Sequence, residues 1–108
     1  MRRLPSLKLL LALLALHGGV PAAAAQDVTA LRSRALAATC ANCHGTGGRA
    51  LENASVPGLA GLPAPYLAEQ MRAFKAGTRP ATVMHQLAKG YSDAQIDQLA
   101  AHFAAQSK

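Results

Sequence analysis

Both cysteines of this 108-residue chain lie in the stretch TCANCHGTGG, three residues apart, with a histidine directly after the second. On a helix, side chains at i, i+3 and i+4 project to one side. Cys40 and Cys43 can then offer two sulfurs to the vinyl groups of one porphyrin while His44 offers a nitrogen to its iron. Cys-x-x-Cys-His is the pattern of covalent haem attachment. Two other chemistries share the cysteine spacing. A reversible disulfide of the thioredoxin kind asks for a preceding strand and a βαβ setting, and neither is visible here. Zinc asks for four ligands; His85 and His102, seventeen residues apart, lack the paired spacing of a metal finger. The residues point to a single covalent haem c.

With His44 beneath the iron as proximal ligand, function turns on the opposite axial position. A methionine thioether saturates the metal and raises its reduction potential, as an electron carrier needs. An open position or a second histidine suits gas binding, peroxidase-like chemistry or a lower potential. Met71 falls on the apolar face of a helix and reads as core filler. Met84 follows RPATV, forty residues after His44, between a proline turn and a short helix. A side chain there can cross the far face of a haem, so Met84 is the expected distal ligand. His85 is its rival as a nitrogen donor. His102 reads as a surface or partly buried histidine.

The elements that must position these groups are helical. Asp27 can cap a helix running VTALRSRALAATCANC, in which Val28, Leu31, Ala35 and Ala38 recur at helical spacing. Gly45, Gly47 and Gly48 end it. Residues 46–62 carry Pro57, Gly58 and Gly61 with little periodicity, the mark of a long loop wrapped around something. PAPYLAEQMRAFKAG predicts a second helix with Pro65 in its first turn, Leu67, Met71 and Phe74 on one face, and Gly77 as its stop. VMHQLAKG allows a short helix. In SDAQIDQLAAHFAAQ, Ser92 and Gln95 have capping-box spacing, and Ile96, Leu99, Ala100 and Phe103 form the apolar stripe. No segment alternates as a strand, so the fold class is all-α.

Composition sets the address and the need for a prosthetic group. Arg2, Arg3 and Lys8 precede the apolar run LLLALLAL, and PAAAAQD supplies small residues around a cut. This reads as an export signal over residues 1–25, leaving 26–108 as the mature domain in the periplasm. The run is far shorter than the ~20 apolar residues a bilayer span needs, so no stable membrane span is expected after cleavage. Removing the leader lowers the formal charge from +6 to +3. No arginine-rich run or aromatic–basic interleaving points to nucleic acid. The aromatic residues are Tyr66, Phe74, Tyr91 and Phe103, and much of the remaining apolar content is alanine. A domain this small and alanine-rich needs something else to fill its core. Tyr66 and Tyr91 either hydrogen-bond a haem propionate or simply pack. Lys75, Arg79 and Lys89 either steer an acidic partner or form a solvated face.

The layout resembles class I cytochromes c over essentially all of residues 26–108. The likeness rests on a helix ending in Cys40-Ala41-Asn42-Cys43-His44, a Gly/Pro-rich loop, and a methionine before a closing amphipathic helix. It implies that the carbonyl of Pro57, in VPGLAGL, orients the ring of His44, and that the first and last helices cross with Phe103 against the Leu31–Ala35 region. The phrases LAATCANCHGTGG, GLAGLPAPYLAEQMRAFKAGTRPATVM and LAKGYSDAQIDQLAAHFA are similar to the cytochrome subunits of flavocytochrome c sulfide dehydrogenases. That likeness implies a flavoprotein sulfide dehydrogenase subunit as electron donor, and a chain that is not an enzyme on its own. Some relatives carry two haem domains; this sequence has one attachment motif. The alternatives are a free periplasmic shuttle between larger complexes, or a haem enzyme or gas-binding protein with a replaceable distal ligand.

Overall fold

A computed structural model describes residues 22–108. It contains four α-helices: α1 (Ala22–His44), α2 (Ala64–Ala76), α3 (Met84–Leu87) and α4 (Asp93–Ala104). Short 3-10 turns lie at Thr46–Gly48 and Ala88–Gly90. The all-α expectation holds, with no strand among the described residues. The proposed leader falls almost wholly outside them.

Helix α1 begins earlier than its sequence signals suggest. Asp27 lies inside it and is not its cap, because the alanines at 22–25 are strong helix formers and carry the helix upstream. Its inward face also differs from the Val28–Leu31–Ala35–Ala38 stripe. Val28 is 45 % and Leu31 62 % exposed, whereas Leu36, Ala37 and Cys40 pack into the core. The turn that carries Cys40 sets the rotation, and residues three and four positions before it share its face.

The other helices start and stop where local chemistry dictates. Helix α2 has Pro65 in its first turn and ends on Gly77 in the left-handed conformation (φ 76°). Helix α4 opens with a complete capping box: Gln95 N–H donates to Ser92 Oγ at 3.2 Å, and Ser92 N–H donates to Gln95 Oε1 at 2.9 Å. Its stripe of Ile96, Leu99, Ala100 and Phe103 is buried against α2 and α1. Two ion pairs, Arg72–Asp97 and Lys75–Asp93, join α2 to α4 along the rim.

Helices α1 and α4 pack together, but the contact of Phe103 is not the expected one. Ser33 and Gln98 meet at 2.7 Å, and Phe103, further along, lies over Gly48 beyond the end of α1. A Cβ on Gly48 would sit 2.7 Å from the Phe103 ring, and its φ of 78° is in the region that side chains avoid. Glycine lets the ring close on the backbone there. Phe103 therefore seals the base of the loop, while Leu31 and Ala35 face outward.

Candidate functional site

The last turn of α1 brings Cys40, Cys43 and His44 together. Cys43 is exposed and Cys40 half-buried; both are free thiols. Burial pushes the Cys40 thiol up from its ordinary value; its side-chain contact with Thr39 opposes this, and the neighbouring Cys43 adds to it. A dithiol oxidoreductase needs the opposite, a thiol pushed down to give a reactive thiolate. Cys40 lacks that depressed value.

His44 is buried, at 8 % exposure. Its Nδ1 lies 2.7 Å from the carbonyl oxygen of Pro57. A carbonyl can only accept, so Nδ1 carries the proton and donates it. In the neutral ring this leaves the Nε2 lone pair for a metal, the usual arrangement of an iron- or zinc-bound histidine. The loop geometry that delivers this carbonyl is explicit. Gly48 C=O accepts from both Leu59 N–H (2.7 Å) and Ala60 N–H (3.0 Å), and Gly61 N–H donates to Phe103 C=O at 2.9 Å. These bonds close the base of the loop and return residue 57 to the end of α1. Arg49 adds a second tether, donating through Nε to Ser107 C=O and through Nη2 to Ser107 Oγ, at 2.8 and 2.9 Å.

Met84 opens α3 and is half-buried, between Val83 and the rest of a four-residue helix. Val83 and Leu87 are each about half exposed, giving the segment apolar surface suited to a macrocycle. His85 differs from His44 in the feature that matters for a ligand. Among the described residues, its Nδ1 is buried without any hydrogen-bond partner, so none of them fixes its ring through that atom. Met71 packs against the core, as its helical position implies. His102 stacks edge-on against Phe103, with centroids 5.2 Å apart. Neither His85 nor His102 joins the cysteines in a metal-binding cluster among the described residues.

Of the three cations near Met84, Lys75 is paired with Asp93. Arg79 lies over the Phe74 ring, 4.6 Å from its centroid, and donates to Gln70 Oε1. Among the described residues, Lys89 alone of the three has no ion-pair or side-chain hydrogen-bond partner. The structure also joins two residues that spacing does not connect: the Tyr91 hydroxyl lies 2.8 Å from Thr39 Oγ1, fifty-two residues away. The Tyr91 hydroxyl therefore has a protein partner. No local pattern announces such a pair. Tyr66 is 46 % exposed.

The donor set fits a covalent haem: two free thiols and an oriented imidazole on one helical turn, with a thioether on a separate segment. A family profile described as Cytochrome c matches residues 30–106. The chain is 48 % identical over 67 residues to the thiosulfate dehydrogenase electron acceptor of Thiomonas intermedia, covering 62 % of this chain and 31 % of that protein. It is 36 % identical over 85 residues to the cytochrome subunit of sulfide dehydrogenase of Chlorobaculum tepidum, covering 79 % and 76 %. Among solved structures, cytochrome c4 of Acidithiobacillus ferrooxidans superposes with a TM-score of 0.61 at 31 % identity, covering 81 % of this chain and 52 % of that one. The chain thus spans about a third of the first of these relatives and about half of the cytochrome c4 chain.

Proposed function

Because this chain belongs to the cytochrome c family, we propose that it is an exported single-haem electron carrier, bound through Cys40 and Cys43 and ligated by His44 and Met84. When bound, haem c supplies an iron that alternates between ferric and ferrous states. The polypeptide's task is to hold that iron's surroundings constant through each transfer. His44 contributes a ring locked by Pro57, and Met84 contributes a neutral sulfur that favours the reduced metal. The chain is an electron-transfer protein and carries out no substrate chemistry by itself.

The observation that carries this reading is the bond from His44 Nδ1–H to the Pro57 carbonyl at the end of the attachment helix. Such a carbonyl partner fixes both the tautomer and the plane of a ligating imidazole. His85, with its orphaned Nδ1, lacks that support, which favours Met84 for the opposite position.

The electron donor is a sulfur-compound dehydrogenase, and a flavoprotein sulfide dehydrogenase subunit is the preferred candidate. The match to a sulfide dehydrogenase cytochrome subunit extends over three quarters of both chains. The thiosulfate dehydrogenase electron acceptor is more identical over a smaller part of its length. Export follows from the leader read in residues 1–25. A cut after Ala25 would start α1 at Gln26 and return Asp27 to its first turn, where a carboxylate favours the helix dipole. No helix among the described residues is long and apolar enough to cross a membrane.

Expression with a haem-attachment system, followed by mass measurement of the mature protein, tests the core of this reading. One haem added to residues 26–108 is expected. A folded, colourless protein of apoprotein mass would overturn it. Co-purification from the native source with a flavin-containing subunit, and reduction by sulfide only in its presence, tests the partner.

A further inference from the structure

We propose that the Tyr91–Thr39 hydrogen bond is a latch holding the Met84 segment closed over the haem, an inference resting on Met84 as distal ligand. Helix α3 is a single turn without a side-chain cap. A helix that short has no stability of its own, so the position of Met84 depends on what anchors the flanking chain. Ala88 is fully buried, and Tyr91 packs against the core. Among the described residues, Tyr91 makes the only side-chain hydrogen bond that ties residues 80–91 to another element.

The direction of that bond is fixed by its neighbours. Thr39 Oγ1 donates its single proton to Leu36 C=O at 2.7 Å. It can therefore only accept from Tyr91, whose O–H donates across 2.8 Å. The relay runs from Tyr91 through Thr39 to the backbone of α1. Thr39 immediately precedes Cys40, and its Oγ1 lies 3.8 Å from Cys40 Sγ. The latch therefore fastens the chain bearing the distal ligand to the turn bearing the thioethers. Both sides of the iron are referred to one short piece of α1.

Tyr91 and Thr39 are thus positioning residues that act through Met84. They keep the thioether on the iron by limiting how often the segment opens, and opening is what lets an outside ligand in. A net hydrogen bond of ordinary strength corresponds to roughly a three- to tenfold change in the open population.

The test uses oxidised holoprotein at neutral pH, with cyanide as probe, following loss of the thioether-to-ferric-iron absorption band. Tyr91→Phe and Thr39→Val should each speed cyanide binding roughly three- to tenfold. The double variant should be no faster than either single one, and Thr39→Ser should restore the slow rate. Ser33→Ala removes the α1–α4 side-chain bond from Gln98, which does not involve the Met84 segment, and should leave the rate unchanged. Unchanged rates in Tyr91→Phe and Thr39→Val, or additive effects in the double variant, would overturn the latch. If Tyr91→Phe does not fold, the Thr39→Val and Thr39→Ser pair decides. A wild-type protein without the thioether band removes Met84 itself, which is a different failure from a band whose loss the latch does not control.

Discussion

His44 and Pro57, thirteen residues apart, are joined by a 2.7 Å bond from a ring nitrogen to a main-chain carbonyl. The acceptor belongs to the backbone, so what matters at position 57 is where the chain runs. Proline fixes φ and narrows the unfolded ensemble of a loop that must return to the helix end. Pro57→Gly is expected to retain the haem, lose about 1 kcal/mol of stability, and speed solvent exchange of the His44 Nδ1 proton. Denaturant melts and proton NMR of the ferrous protein check both parts.

Met84→Ala should abolish the thioether-to-ferric-iron band and lower the reduction potential, since a neutral soft ligand is replaced by water or an outside donor. His85→Ala should leave the band in place. Met71→Leu, a volume-conserving change at the core edge, should also keep it and cost less than about 1.5 kcal/mol. Optical spectra and potentiometry of the three variants separate ligand from filler.

Gly48→Ala should be among the most damaging single-methyl changes in the molecule. It combines a positive φ with a Cβ 2.7 Å from the Phe103 ring. Left-handed strain of about 1–2 kcal/mol and overpacking of about 1–3 kcal/mol both oppose it. A clear fall in thermal midpoint is expected, with Phe103→Leu in the same chain recovering part of it.

The Lys75–Asp93 pair gives a small acid-dependent contribution to stability. The hydrogen bond and charge of Lys75 hold the Asp93 carboxyl below its ordinary value of 3.8. A carboxylate whose folded value is depressed stabilises above its unfolded value, and the benefit is lost as pH falls through the folded one. Asp93 is exposed, so solvent screens the pair and salt weakens it. Lys75→Gln should be slightly less stable than wild type at neutral pH, and the difference should close as pH falls below the carboxylate range. Chemical denaturation at several pH values and two salt concentrations checks the sign.

Local chemistry was legible in the sequence and distant pairing was not. The Ser92–Gln95 box, the Gly77 stop, the α4 stripe and the close of α1 at His44 depend on neighbours within four residues, and all are present. The Pro57 carbonyl was reached through family resemblance, because spacing alone does not say where a loop returns. Periodicity placed α1 but misjudged its buried face, since an alanine-rich helix has a weak apolar stripe. Phe103 against Gly48, Lys75 against Asp93 and Tyr91 against Thr39 are meetings between separate elements. Their residues carry no mark of one another in the chain.

Among the described residues, five of the nine buried apolar ones are alanines, and Ile96 is the one large side chain entirely out of water. A polypeptide so poor in bulk has little reason to hold its shape before its pigment arrives. Maturation and folding then become a single event, and a molecule that misses its porphyrin is left open to proteases. The amount of this protein in the cell should therefore rise and fall with the supply of haem.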